Sequence, residues 1–132
     1  MSKILAIDYG TQNIGLAIGS TEKKLALPLK IIQNKSLNLV IEEIENICQL
    51  EGVKKIIIGL PVSMQGKKTD MTLKVENFIH YLSQKINLDL ETVDERFSTK
   101  EVAKQFQQVD FKNKKDAAAA ALILQTYLDK NK

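Results

Sequence analysis

Four acidic residues lie where their carboxylates could do chemistry. Asp8 ends an apolar, strand-like run and is followed two residues later by Gly10, Asp94 and Glu95 close a later strand-like run, and Asp116 precedes a run of alanines. A carboxylate at the end of a buried strand lies at the edge of a sheet, where a metal ion or a phosphate can approach. An Asp-x-Gly sequence also fits an ordinary turn, because aspartate hydrogen-bonds its own backbone and glycine accepts positive φ.

If these carboxylates converge, they predict a metal site. Three negative groups facing one cleft repel each other unless cations lie between them, and oxygen-only ligands favour Mg²⁺ or Mn²⁺ over zinc. Two such ions, about 4 Å apart, would activate a water and stabilise the leaving oxygen of a phosphodiester. In this hypothesis Asp8 bridges the ions, and Glu95 and Asp116 flank them. Asp116 alone also fits an acid in the first turn of a helix.

Asp94 and Glu95 compete for one of these roles. Consecutive side chains of a strand point to opposite faces, so only one of the two is expected to face Asp8. We favour Glu95, with Asp94 as the alternative.

The basic residues indicate a polyanionic partner. Nineteen Lys and Arg residues stand against sixteen Asp and Glu, a net charge of +3, and Arg96 is the single arginine. Arginine can bind a phosphate through two parallel hydrogen bonds. We expect the substrate phosphates to be held by Gly10, Thr11, Arg96, Lys67, Lys68, Lys114 and Lys115. Lysine pairs also occur on ordinary solvated surfaces, which is the alternative for each of these lysines.

Other compositional features exclude several classes of protein. Cys48 and His80 are the only cysteine and histidine, so neither an intrachain disulfide nor a zinc cluster is expected. We interpret Cys48 as a core residue and His80 as a surface residue of a helix. The chain has no apolar run of the roughly 20 residues that span a bilayer, and Asp8 interrupts any signal-peptide core. We expect one domain over residues 1–132, located in the cytoplasm and without a membrane partner.

Hydrophobic periodicity predicts the order β-β-β-α-β-α-β-α-α. The expected strands cover residues 3–9, 14–19, 25–32, 55–61 and 88–93. The expected helices cover residues 37–51, 71–86, a short segment from Ser98, and 116–125. Ser36 and Gly52 are the expected caps of the first helix.

This order predicts an α/β fold of the ribonuclease H-like type. Three antiparallel strands followed by alternating helices and strands give a five-stranded mixed sheet with helices on both faces. The alanines after Asp116 allow the last helix to approach the sheet closely and to bring its first turn toward Asp8.

Four segments, spread over nearly the whole chain, resemble the YqgF/RuvX family. They are Ile7-Asp8-Tyr9-Gly10-Thr11 with Ile14-Gly15, Ile58-Gly59-Leu60-Pro61 with Gly66, Asp94-Glu95-Arg96-Phe97-Ser98-Thr99, and Asp116-Ala117 through Leu122-Ile123-Leu124-Gln125. The resemblance implies a ribonuclease H-like nuclease, related to Holliday-junction resolvases, that matures the 5′ end of pre-16S ribosomal RNA. It also implies that Asp8, Glu95 and Asp116 are the acidic site residues.

Two departures from the family pattern concern substrate binding. Gln12-Asn13 stands where the family usually has a basic pair, and the basic loop before Asp116 is short. A phosphate contact at Gln12-Asn13 is therefore expected to be lost. Lys67, Lys68 and the C-terminal lysines are expected to bind the substrate in its place.

Three alternatives remain open at this point. The chain could cleave junction DNA instead of RNA, acting as a homodimer instead of a monomer. It could be a non-catalytic RNA-binding factor of ribosome assembly, although a binder of polyanions gains nothing from converging carboxylates. Asp8 with Gly10, Thr11 and Gly15 also resembles the first phosphate loop of the actin, Hsp70 and sugar-kinase superfamily, whose members close two such domains around a nucleotide.

Overall fold

A central sheet with helices on both faces carries the candidate site. The computed structural model describes residues 2–95 and 115–130. In these residues the strands are β1 (Lys3–Asp8), β2 (Asn13–Ser20), β3 (Ala26–Gln33), β4 (Val53–Leu60) and β5 (Asp89–Asp94). The helices are α1 (Leu37–Glu51), α2 (Asp70–Lys85) and α3 (Lys115–Lys130). The helix expected from Ser98 lies outside the described residues.

The five strands form one mixed sheet in the order β3-β2-β1-β4-β5. β1 pairs antiparallel with β2, and β2 with β3. β4 pairs parallel with both β1 and β5. The carboxyl ends of β1, β4 and β5 therefore meet at one edge of the sheet, as the predicted topology requires. This mixed sheet confirms the ribonuclease H-like expectation.

Each face of the sheet has its own apolar core. Leu5 and Ile7 of β1 point to the face covered by α1 and α2. Ile4 and Ala6 point to the other face, which α3 covers. Because side chains alternate along a strand, Asp8 belongs to the α3 face.

α3 is fastened to the sheet by polar contacts as well as by apolar packing. The side chain of Gln125 is buried, and its Oε1 accepts the backbone N–H of Ala26 at 3.0 Å. Lys55 of β4 donates to the Tyr127 hydroxyl at 2.9 Å, and this hydrogen bond holds the pKa of Lys55 above its usual range. Lys55 also pairs with Glu91 of β5 at 3.1 Å. Gln125 and Tyr127 both lie in the second half of α3, and their contacts fix the direction of the helix across the sheet.

The ends of the helices differ in detail from the expectations. Gly52 ends α1 in the left-handed conformation, as predicted, with φ of 71°. Ser36 occupies the N-cap position, as predicted, but its side chain makes no capping hydrogen bond. α2 is capped instead by Thr69, which exchanges hydrogen bonds with Thr72.

The alanine-rich helix is longer than its propensity run indicated. It begins one residue earlier than expected, at Lys115, and continues five residues past Gln125 to Lys130. The extension includes Leu128, which is buried against the sheet. Tertiary packing therefore supports the helix beyond its alanines. Cys48 is buried and His80 is exposed, which confirms both interpretations.

Candidate active site

Asp8 stands at the sheet edge where the parallel strands end. It is the last residue of β1 and is half-buried. The next residue, Tyr9, turns to the opposite face and packs its ring on Phe78 of α2, with the centroids 4.7 Å apart. This contact fixes the path of the chain directly after Asp8.

The turn after Asp8 is held by backbone contacts. A Cβ atom on Gly10 would overlap the carbonyl oxygen of Asn13. The Gly10 carbonyl accepts the Asn34 side-chain amide at 2.9 Å, and the Asn34 N–H donates to Gln12 at 2.9 Å. Gly10 does not have positive φ, so the turn needs glycine for close approach and not for its dihedral freedom. Thr11 lies exposed at the tip of this turn.

Glu95 reaches Asp8 from the far side of a neighbouring strand. It directly follows β5, and β4 separates β5 from β1. Its carboxyl group nevertheless shares a hydrogen bond with the carboxyl group of Asp8. The Glu95 side chain therefore crosses over β4.

The sheet geometry accounts for this choice of acid. Val93 packs in the core under α3, whereas Leu90 packs against the core on the opposite face. Alternation along β5 assigns Asp94 to the face of Leu90, and it leaves Glu95 on the face that Asp8 shares. Of the two candidates, Glu95 is the one whose side chain meets Asp8.

Burial and neighbouring charge raise the pKa of Glu95. The largest cause is desolvation of its carboxyl group, and the negative charge of Asp94 acts in the same direction. The hydrogen bond with Asp8 opposes them, because it stabilises the ionised form of Glu95. The two carboxyl groups meet in a place where a bound cation would offset their mutual repulsion.

Gly59 of β4 lies beneath the crossing point. A Cβ atom built on Gly59 would lie 2.5 Å from Glu95 Oε1 and 3.1 Å from its Cγ. The same atom would lie 2.5 Å from Cδ1 of Ile123 in α3. Sequence reasoning included Gly59 only as part of a family segment. A glycine inside a buried strand is itself a signal that another group approaches the backbone closely.

α3 points its amino terminus toward the same edge of the sheet. Ile123 lies beside Gly59, near the carboxyl end of β4. Two residues further along, Gln125 contacts Ala26, which lies at the opposite end of the sheet through its pairing with Gly19. The helix therefore begins on the Asp8 side. Asp116 is its second residue, and its side chain lies outside the described part of the structure.

The predicted phosphate-binding residues are only partly described. Lys67 and Lys68 are exposed on the loop after β4, which leaves the sheet at the edge of Asp8. This loop is closed by hydrogen bonds between Ser63 and Lys67, and Lys68 pairs with Glu76 at 3.1 Å. Lys115 begins α3, while Arg96 and Lys114 fall outside the described residues.

The donor set of the described site fits a hard cation. Asp8 and Glu95 provide carboxylate oxygens alone, the ligands that Mg²⁺ and Mn²⁺ prefer. Within residues 2–95 and 117–130, no three His, Cys, Asp or Glu side chains come close enough to share a metal ion. In the same part of the chain, no helix is both long and apolar enough to cross a membrane.

Comparison with known proteins identifies the family. Residues 2–130 match the family described as "RuvX: Holliday junction resolvase". A relative from Rickettsia peacockii, named "Putative pre-16S rRNA nuclease", is 38% identical over 131 residues, covering 96% of this chain and 85% of the relative. A relative of the same name from Maridesulfovibrio salexigens is 36% identical, covering 96% of this chain and 97% of its own.

Solved structures share the fold at low sequence identity. Thermus thermophilus RuvC aligns with a TM-score of 0.65 at 11% identity, covering 98% of this chain and 95% of RuvC. The fowlpox virus Holliday junction resolvase aligns with a TM-score of 0.61 at 15% identity, covering 98% and 99%. With its ribonuclease H-like sheet and a full-length family match, the chain belongs to the RuvX (YqgF) family and is a nuclease.

Proposed function

We propose that this protein hydrolyses a phosphodiester bond at the 5′ end of pre-16S rRNA during ribosome assembly, with two Mg²⁺ or Mn²⁺ ions held by Asp8, Glu95 and Asp116. The observation that carries the proposal is the meeting of the Asp8 and Glu95 carboxyl groups above Gly59. Bringing two like charges together in a half-buried place is unfavourable without a cation, so the arrangement has a cost that metal binding would offset.

Each acidic residue has a distinct role in this proposal. Asp8, at the centre of the sheet edge, would be the ligand common to the two cations. Glu95 binds one of them from the β5 side. Asp116, in the first turn of α3, is proposed to bind the other, since that helix begins on the Asp8 side of the sheet. When bound, the ions supply an activated water and stabilise the leaving oxygen.

The basic residues are proposed to hold the substrate backbone. Lys67 and Lys68 extend from the loop that leaves the sheet beside the site, and Arg96 follows Glu95 directly. We assign the same task to Lys114 and Lys115, at the start of α3. Gly10 and Thr11 offer a backbone N–H and a hydroxyl at the turn after Asp8. Phosphate contacts of this kind orient the substrate without reading its sequence.

RNA is the substrate that the closer relatives favour. Proteins that are 36–38% identical over 96% of the chain carry the pre-16S rRNA nuclease name. The family description instead names Holliday junctions, and a structural relative with 10% identity was solved with such a junction. Cleavage of junction DNA is therefore the second candidate function.

One cleavage experiment separates these functions. A labelled pre-16S rRNA fragment and a four-way DNA junction are each incubated with Mg²⁺, with Mn²⁺ and with chelator. Three proteins are compared: wild type, Asp8→Asn, and Asp89→Asn as the matched control. Asp89 is an exposed residue at the opposite end of β5, where it pairs with Lys55 at 3.6 Å.

The proposal expects metal-dependent cleavage of RNA that Asp8→Asn abolishes and Asp89→Asn leaves unchanged. Cleavage restricted to the junction would replace RNA by DNA as the substrate. RNA binding that Asp8→Asn does not weaken, together with no cleavage of either substrate, would instead identify a non-catalytic assembly factor.

A further inference from the structure

The Glu95 side chain meets Asp8 by passing over β4. It therefore needs free space above that strand. β4 lies between the strands that carry the two acids, so whatever side chain stands at the crossing point competes with Glu95 for space. The residue there is Gly59, whose neighbours in the sheet include Val93 of β5. Gly59 is buried, in the interior of a strand whose preceding residues are isoleucines.

We propose that Gly59 is a positioning residue for Glu95: its missing side chain leaves the space through which the Glu95 carboxyl group reaches Asp8. A Cβ atom there would lie 2.5 Å from Glu95 Oε1 and 3.1 Å from Glu95 Cγ, well inside van der Waals contact. A glycine inside a buried strand destabilises that strand, because glycine loses more backbone entropy on folding than other residues do. The space that Glu95 needs above Gly59 explains why a glycine stands at this otherwise unfavourable position.

The clash at Gly59 would move side chains and leave the backbone in place. The nearest atoms are Glu95 Oε1 and Ile123 Cδ1, which are the outer atoms of flexible side chains. Gly59 also has no positive φ, so alanine introduces no backbone strain. Gly59→Ala is therefore expected to fold, with Glu95 rotated away from Asp8 and Ile123 shifted in α3.

The inference rests on the proposed metal-dependent nuclease, because Glu95 is positioned there to bind a cation. Gly59 itself touches neither the cation nor the substrate. Its effect passes through the Glu95 carboxyl group, so metal affinity is the property that should respond first.

A set of three variants isolates the contact with Glu95. Ile123→Val removes the Cδ1 atom and serves as the control for helix packing. Gly59→Ala introduces both clashes, and Gly59→Ala/Ile123→Val retains only the one with Glu95. For each protein, Mn²⁺ binding is measured by calorimetry, thermal unfolding is measured in chelator, and a crystal structure locates Glu95.

We expect Ile123→Val to bind Mn²⁺ like the wild type, and Gly59→Ala to bind it at least about tenfold more weakly. The double variant should regain thermal stability but not Mn²⁺ affinity. Wild-type affinity in Gly59→Ala would overturn the inference. Recovery of affinity in the double variant would also overturn it, since Gly59 would then act through α3.

The crystal structures separate this inference from the proposed function. If wild-type protein shows no Mn²⁺ binding that depends on Asp8, the metal site of the proposed function is wrong. The positioning role is then decided by the structures alone. Loss of the Asp8–Glu95 hydrogen bond in Gly59→Ala supports it, and retention of that bond contradicts it.

Discussion

The carboxyl groups of Asp8 and Glu95 share a hydrogen bond across an intervening strand, over the backbone of Gly59. β4 lies between β1, which ends at Asp8, and β5, which Glu95 directly follows. The pair is half-buried, and the pKa of Glu95 is raised chiefly by that burial. An arrangement that is unfavourable for two isolated acids is favourable for two acids and a cation.

Metal binding should therefore stabilise the wild-type protein but not the Asp8→Asn variant. In chelator, Asp8→Asn is expected to be as stable as the wild type or slightly more so, because it removes one of two neighbouring acids. At a metal concentration of 100 times Kd, the wild type should gain about 2.7 kcal/mol. Thermal unfolding with Mg²⁺ and with chelator measures both effects, with Asp89→Asn as the control. An equal gain in Asp8→Asn would place the ion elsewhere.

Glu95→Gln should damage cleavage far more than Asp94→Asn. The Glu95 side chain meets Asp8, whereas Asp94 lies on the opposite face of β5. We expect a loss of at least about 100-fold in kcat/KM for Glu95→Gln, equal to about 3 kcal/mol of transition-state stabilisation. A loss of less than about tenfold is expected for Asp94→Asn, because strand alternation places Asp94 on the face away from Asp8. Steady-state cleavage rates test this, and the reverse ranking would assign the metal to Asp94.

Lys67 should contribute to substrate affinity in a salt-dependent way. It is exposed on the loop beside the site, and Lys54 is another exposed lysine, near the start of β4 at the far end of the sheet. Lys67→Ala is expected to weaken RNA binding and to reduce the slope of log K against log salt by about one. Lys54→Ala should leave both unchanged. Filter binding at several salt concentrations provides the slopes, and identical slopes for the two variants would remove Lys67 from the interface.

Gln125→Ala should destabilise the fold. Gln125 accepts the buried N–H of Ala26 and donates to the Lys24 carbonyl, both at 3.0 Å. Removing the amide leaves a buried donor without its partner, which costs about 1–3 kcal/mol. Gln84→Ala, on the exposed surface of α2, is the matched control and should change the free energy of unfolding by less than about 0.5 kcal/mol. Urea denaturation distinguishes them, and equal effects would mean that the tie between α3 and β3 contributes nothing.

Cys48 should make the folded state less stable at alkaline pH. Burial raises the pKa of its thiol to about 11. The unfolded thiol ionises near pH 8.5, so above that pH the unfolded state loses a proton that the folded state keeps. Stability should fall as pH rises from about 9 to 11, by about 2 kcal/mol from this group, and be unaffected below pH 8.

The contribution of Cys48 is measured against Cys48→Ala. Lysines and tyrosines titrate in the same range, so the relevant quantity is the difference between wild type and variant at each pH. That difference should change between pH 8 and 11. A constant difference would show that the thiol ionises equally in both states.

Local sequence patterns determined the elements and most of their order. The apolar stripe of α1, its end at Gly52 and the buried isoleucines of β4 depend on periods of 3.6 and 2, which neighbouring residues define by themselves. Asp8 was recognisable as the acid at a strand end for the same reason. Burial of Cys48 followed from its place on the stripe of α1.

Only the tertiary structure decided which acid meets Asp8. The sequence predicts that Asp94 and Glu95 point to opposite faces of the sheet. Which of the two residues lies on the side of α3 depends on the register of β5 against β4 and on the face that the helix covers. The need for Gly59 arises from the same long-range geometry, as does the contact of Gln125 with Ala26 across 99 positions of sequence. Such contacts follow from how whole elements pack, and no local period encodes them.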